Sequence, residues 1–298
     1  MRHIILANPV SGNKRGKKIA LRVKKILEKY NIECEMYESK RIGELKTLAQ
    51  DFSSKEKCRF YTIGGDGSLN EVVSGIIGTD SEIVVIPCGT GNDFSRYINK
   101  YKSLRKIIIN SINTEAQKYD IIKLHDGKYC FNILNIGFDA MVAQNMNKFR
   151  RFPISGSAKY GIAIVYTLFQ NKNFNLKVRT NNFIQKGKFT LIAISNARFY
   201  GGGIIPNPRS TPDDGKLSIC TILSTSIIKK IILLPKYKKT EHENFKIVKM
   251  DDNINSFSIV SNEAFPISID GEISFTNKLK GKIIPNCINI IQIKKNEK

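Results

Sequence analysis

The chain has 298 residues, long for one compact core, and its 41% hydrophobic share with 21 Gly and 9 Pro is that of a globular protein, not a disordered or fibrous one. Lys and Arg outnumber Asp and Glu by 48 to 26, a net charge of +22, which draws such a chain to a polyanion: nucleic acid, an anionic membrane surface or a polyphosphate ligand. No stretch reaches the roughly 18 uncharged apolar residues of a membrane-spanning helix, and the apolar start meets Asn8-Pro9 too early for a signal peptide, so a cytoplasmic protein is expected.

In chain order, the first 120 or so residues read as repeated strand–turn–helix units. Residues 2–7 form a short apolar strand, and Asn8-Pro9-Val10-Ser11-Gly12-Asn13 a turn. A basic helix over 14–30 carries Ile19, Val23, Ile26 and Leu27 on one face. A strand at 33–37 and a helix at 42–52 follow, then a strand at 59–63 broken by Gly64-Gly65-Asp66-Gly67. Leu69, Val72, Val73 and Ile76 give the next helix, 68–77, its apolar stripe. A strand at 82–86, the turn from Pro87 to Asn92 and a helix starting near Asp93 make the fourth unit. Alternation of this kind predicts a parallel sheet with helices on both faces.

Beyond residue 120 short β-rich runs dominate, at 129–135, 175–180, 189–195, 217–223, 257–260, 266–269 and 287–293. Two helices are expected there, 157–170 and 225–234. The spacing suggests an antiparallel β-sandwich or barrel. The domains are therefore placed at 1–124, nucleotide-binding α/β, and 125–298, a β-sandwich for the substrate. The six cysteines are scattered without a C-x-x-C pair, which favours reduced buried thiols over a disulfide or zinc framework.

Three turns of the first half lie where parallel strands end, the place where open α/β sheets bind ligands. Backbone N–H groups and the dipole of a helix start favour phosphate, and glycines at 64, 65 and 67 let the backbone come close. Such turns also serve as plain strand-to-helix connections. Asp66 narrows the choice: a carboxylate among phosphate-cradling glycines repels phosphate unless a metal ion lies between them, so it suggests Mg²⁺, against the simpler role of a helix cap. Asn70 and Glu71 sit in the first turn of the same helix. Neither a P-loop nor protein-kinase signatures occur.

The run Gly64-Gly65-Asp66-Gly67-Ser68-Leu69-Asn70-Glu71-Val72 resembles the signature of the diacylglycerol kinase catalytic family, which also embraces sphingosine kinases and bacterial soluble lipid kinases. Companions follow in family order: Asn8-Pro9-x-Ser11-Gly12, Pro87-x-Gly89-Thr90-Gly91-Asn92-Asp93-Phe94 and Asn135-Ile136-Gly137-Phe138-Asp139-Ala140. Then come Asn196-x-x-x-Tyr200-Gly201-Gly202-Gly203, Asp213-Asp214-Gly215-x-Leu217 and Asp270-Gly271-Glu272. The resemblance implies an N-terminal domain like those of phosphofructokinases and NAD kinases, a C-terminal β-sandwich, and ATP-dependent phosphorylation of a lipid hydroxyl, diacylglycerol first. It implies ATP contacts from Asn8, Pro9, Ser11, Gly12, Ser39, Gly64, Gly65, Asp66, Gly67, Ser68, Asn70, Glu71, Thr90, Asn92 and Asp93. Ser39 stands where the family usually has Thr, four residues before Gly43. Asp66 would organise the catalytic Mg²⁺, and Glu272 would act as general base with Asp270 in support. Asp214 would hold a structural Mg²⁺ with the backbone carbonyls of Thr211 and Lys216, although Ser218 replaces an acidic residue common in the family. On their own, Asp270-Gly271 and Asp213-Asp214-Gly215 read as turns.

The lipid reading explains the charge without nucleic acid: a soluble enzyme with an amphipathic substrate works peripherally on an anionic bilayer. Other lipid alcohols, a sphingoid base or undecaprenol, or a small soluble acceptor such as NAD, are the alternatives. A homodimer stays open.

Overall fold

The computed structural model describes residues 1–89, 91–99, 103–149 and 156–293. The chain forms two compact units, and the division is not a single cut. The first takes Met1–Ile121, Gly201–Gly203 and the chain from Pro285 on; the second takes Ile122–Tyr200 and Ile204–Ile284.

The first unit begins with β1 (Arg2–Ala7), a short turn α1 (Ser11–Lys14) whose Gly12, Asn13 and Lys14 are left-handed, and α2 (Gly16–Lys29). β2 (Glu35–Glu38), α3 (Glu44–Ser53), β3 (Cys58–Gly64) and α4 (Asp66–Ile76) follow. Then come β4 (Glu82–Pro87), α5 (Asp93–Ile98), α6 (Leu104–Asn113) and β5 (Gln117–Leu124), whose last residues pass into the second unit. β1 lies between β2 and β3, and β4 lies beside β3; these ladders are parallel. The end of the last strand adds Asn289 and Ile290 beside Glu82 and Ile83, again parallel.

The strands are apolar on both faces, as a covered parallel sheet requires. Ile5, Ala7, Tyr61, Ile63, Val84 and Ile86 pack with Ala20, Val23 and Leu27 of α2 and with Ile107 and Ile108 of α6. The alternate residues Ile4, Leu6, Phe60 and Ile83 are equally buried and point to the opposite face. Helices α3 and α4 touch each other and β3. α2 ends where Asn31 takes left-handed geometry, φ 56°, the usual device for stopping a helix.

The second unit contains β6 (Tyr129–Cys130), β7 (Ile133–Gly137), α7 (Phe138–Lys148), α8 (Gly156–Gln170), β8 (Phe174–Thr180) and β9 (Ile184–Ser195). β10 (Leu217–Leu223), α9 (Ile227–Lys238), β11 (Val248–Ile254), β12 (Ser256–Ile269) and β13 (Glu272–Ile290) complete it. Strand order is β11-β10-β9-β7-β12-β13, with β8 pairing both β9 and β12, all antiparallel. β9 shows why residues 189–195 carry no polar alternation. Its Ile192 and Ile194 join the core of Leu134, Ile136, Phe265 and Ile267, while Leu191 and Ala193 face Cys220, Leu233 and Tyr237 on the side of α9.

A two-part architecture of α/β and β-rich units is thus present. Over the whole chain antiparallel ladders predominate, and the parallel ones belong to the first unit. Several features depart from the expectation. α7 is a helix where only strands and turns were expected, and β11 is a strand not foreseen. The runs at 257–260 and 266–269 are one strand, β12, and β13 is one strand of 19 residues rather than a short run at its end. No helix among the described residues is long and apolar enough to cross a membrane, and all six cysteines are free thiols.

One buried charge pair ties the first unit together. Arg59 on β3 donates through Nε and Nη2 to Glu82 on β4, at 2.8 and 2.6 Å. Its Nη1 reaches the carbonyls of Ser111 and Ile112 at the end of α6, at 2.6 and 3.0 Å. A cation among the last carbonyls of a helix satisfies both its orphan acceptors and its dipole. Burial alone would raise the Glu82 carboxyl; Lys57 and Arg59 hold it below the ordinary value. Arg59→Met leaves that carboxylate with Lys57 alone and the α6 carbonyls without a donor, and urea denaturation is expected to record a loss of up to about 3 kcal/mol.

Candidate active site

In the first unit the carboxyl ends of β1, β3 and β4 deliver three loops that touch through backbone. Cys88 N–H donates to the Gly64 carbonyl at 2.8 Å, and Asn8 N–H to the Ile63 carbonyl at 2.9 Å. Asn8 Nδ2 donates to Ser68 Oγ at 3.2 Å. Cys88 Sγ lies 3.5 Å from the Ser11 carbonyl. Gly12 has φ 59°, and a Cβ there would collide with the Cys88 carbonyl. A Cβ at Gly89 would stand 2.6 Å from Gly65 Cα. Two backbones therefore meet with no side chain between them, which is the approach a phosphate needs. Ser39, just after β2, joins this end of the sheet by donating its N–H to the Ala7 carbonyl at 2.9 Å.

The start of α4 is open. Gly65, its N-cap, is extended, and no side chain caps the helix. Gly67 and Ser68 lie in the first turn behind Asp66, which accepts the Phe94 N–H at 3.4 Å. Thr62, Gly65, Asp66, Pro87 and Asn92 line a small hollow here. Thr62 Oγ1 is buried in it without a hydrogen-bond partner among the described residues, an unmet polar group of the kind a bound ligand or water satisfies. The open helix start beside it is the feature that suits a phosphate, and Asp66 is a carboxylate that would hold Mg²⁺ there.

Asn92, at φ 52°, clamps the following turn, accepting the Gly89 N–H at 2.9 Å and donating to the Gly89 carbonyl at 2.6 Å. Asp93 is buried and accepts the Gly202 N–H at 3.1 Å, with Arg96 at 3.6 Å. Burial pushes the Asp93 carboxyl up, the Gly202 N–H pulls it down, and the charge of Asp66 adds to the rise. Two expected ligands are engaged elsewhere. Asn70 Oδ1 accepts the Ser74 hydroxyl at 3.3 Å, and the Glu71 carboxylate takes the Leu45 N–H at 3.2 Å in the first turn of α3. Pro9 lies in the loop after β1. Thr90 falls outside the described residues.

In the second unit Asp270 and Gly271 form the turn between β12 and β13, at φ 48° and 94°. Two left-handed central residues suit a tight hairpin. The Asp270 carboxylate is half-buried and accepts three backbone N–H groups, Phe131 at 2.7, Asn132 at 2.9 and Ile133 at 3.0 Å, with the Cys130 thiol at 3.3 Å. Burial pushes this carboxyl up and the N–H donors pull it back. Asp270 fixes the loop 131–133 to the hairpin, and Glu272, two residues on, is exposed at the first position of β13. Asp214, Thr211 and Lys216 are brought together by the bonds of a turn: Asp214 accepts the Thr211 hydroxyl at 2.8 Å and the Lys216 N–H at 2.9 Å.

Asp139 belongs to one of the family-order motifs, but no role for it is legible in the sequence. Asp139, on α7, accepts the hydroxyls of Tyr200 and of Tyr237, the latter at 3.4 Å. Burial drives its carboxyl up to about 7 against the pull of both tyrosines. Its partners lie 61 and 98 positions away, so no local pattern announces them. The bond of Gly202 to Asp93 spans 109 positions and escaped the sequence for the same reason.

Residues 2–124 match the model of the diacylglycerol kinase catalytic domain, and 132–292 that of the YegS C-terminal NAD kinase beta sandwich-like domain. A protein of Staphylococcus aureus strain MSSA476, named as a candidate lipid kinase, is 28% identical over 266 residues, covering 86% of this chain and 85% of that one. The crystal structure of a candidate diacylglycerol kinase from Bacillus anthracis strain Sterne superposes with a TM-score of 0.78 at 21% identity, covering 98% and 97% of the two chains. Another diacylglycerol kinase structure from that organism gives 0.73 at 18%. These two likenesses speak to the fold.

Asp270→Ala leaves three buried N–H groups without an acceptor, and its unfolding free energy is expected to fall by about 3 kcal/mol, whereas Glu272→Gln leaves the denaturation midpoint unchanged. Asp139 keeps its proton in the folded chain where the unfolded chain, near pKa 4, loses it. Stability that it contributes is therefore present below about pH 4 and lost as pH rises towards about 7. Urea midpoints across that window should decline in the wild type, by at most about 1.4 kcal/mol per pH unit, and flatten in Asp139→Asn.

Proposed function

The chain belongs to the diacylglycerol kinase catalytic-domain family, and on that premise we propose that it transfers the γ-phosphate of ATP to a lipid hydroxyl, diacylglycerol first, yielding phosphatidic acid and ADP. The observation that carries the reading is the uncapped start of α4, where Gly65 meets Gly89 without side chains and Asp66 occupies the first turn. In this reading residues 1–124 bind the nucleotide and residues 125–298 the lipid.

Asn8, Ser11, Gly12, Ser39, Gly65, Gly67, Ser68 and Thr90 offer backbone and hydroxyl groups to the phosphates. Asn92 and Asp93 keep the neighbouring turn in shape. Asp66 would hold Mg²⁺, which when bound would supply charge neutralisation for the transferring group. The second proposed magnesium position is Asp214 with the carbonyls of Thr211 and Lys216. Glu272 takes the proton as the lipid oxygen bonds to phosphorus and ADP departs. Its exposure suits a base that must reach an incoming alcohol, and Asp270 positions it through the hairpin. The net charge of +22 supports work at an anionic membrane surface from the cytoplasmic side.

ADP release with diacylglycerol in mixed micelles tests these roles. Glu272→Gln should lower kcat by roughly 10²–10⁴ with little change in KM for ATP, and Asp66→Ala should remove turnover. Wild-type rates in both variants would refute the assignment.

A further inference from the structure

Two helices of the second unit carry their apolar stripe outward. In α8 the buried positions are Ala163, Thr167 and Leu168, while Ile162, Val165, Tyr166 and Phe169 are exposed, Phe169 by 77%. In α9 Lys230, Leu233 and Tyr237 are buried, and Ile228, Ile231 and Ile232 are exposed by 71, 55 and 54%. Spacing of i, i+3, i+4, i+7 normally marks the face that a helix buries. Singly exposed apolar residues are ordinary; stripes on two touching helices are not.

The reversal in α9 is built in. Lys230, on its buried face, sends Nζ to Asn171 Oδ1 at 2.7 Å and Asn173 Oδ1 at 3.2 Å, just past the end of α8. Burying that ammonium lowers its proton affinity, a cost two amide oxygens offset. The bond fixes the rotation of α9 that turns Ile228, Ile231 and Ile232 outward.

Charge selects the occupant. Neither helix contains Asp or Glu, while Lys159, Lys229, Lys236 and Lys238 accompany the stripes. Lys148, exposed, stands 5.0 Å from the ring of Tyr166. The nearby acid Glu241 pairs with Lys236. A second copy of this chain would bring lysine against lysine. An anionic bilayer offers acyl chains to the stripes and headgroups to the lysines.

We propose that α8 and α9 are the membrane-docking surface, with Ile162, Val165, Phe169, Ile228, Ile231 and Ile232 entering an anionic lipid leaflet. The kinase reading supplies the reason to reach a bilayer; the surface stands on its own geometry.

The test is co-sedimentation of the full chain with phosphatidylcholine vesicles, with or without phosphatidylglycerol, in the absence of diacylglycerol and ATP. Wild type should bind only the anionic vesicles. Phe169→Ser with Ile232→Ser, and separately Lys229→Glu with Lys238→Glu, should weaken binding about tenfold or more without shifting Tm, since all four positions are exposed. Turnover of a short-chain, monomeric diacylglycerol should be unchanged in both. If that acceptor is never turned over but vesicle binding behaves as described, docking stands and the phosphotransfer reading fails. Undiminished vesicle binding by the variants, no binding by wild type, or a wild-type dimer that light scattering finds split by Phe169→Ser with Ile232→Ser, would overturn the proposal.

Discussion

The candidate nucleotide site depends on one close approach of backbone to backbone. A methyl group at Gly89 would stand 2.6 Å from Gly65 Cα, and one at Gly12 would strike the Cys88 carbonyl. Side chains are excluded from both places by space, and at Gly12 also by φ. Neighbouring parallel strands bring these loops to one end of the sheet. Asp66 then adds the one charge that a bare amide cradle lacks.

The second unit uses carboxylates differently. Asp270 is spent on backbone amides, while Glu272, two residues on, is exposed at the start of β13. Within the Asp270-Gly271-Glu272 run, turn and chemistry are therefore compatible readings: left-handed φ values make the hairpin, and the hairpin presents the acid. Asp139 is buried and meets tyrosine hydroxyls instead of amides, and its proton stays on to about pH 7.

Much of the first unit was legible because its signals are local. β1, β3, β4, α2 and α4 carry apolar residues at the period of their own element, and the glycine turns fall directly after strands. Less legible was the long strand β13, where Lys278, Lys280 and Lys282 alternate with the buried Leu279 and Ile283. α7, rich in Asn, gave no clear stripe. The hydrogen bonds of Asp270 and Asp139 reach partners from 61 to 140 positions away, and the bond of Glu71 to the start of α3 spans 26. No window along the chain contains such contacts.

The most direct measurement is the fate of labelled γ-phosphate when the protein, Mg²⁺ and ATP meet mixed micelles containing diacylglycerol. The account predicts label in a product that migrates as phosphatidic acid, and none with Asp66→Ala. Label that enters NAD, or that enters no lipid alcohol offered, would contradict it.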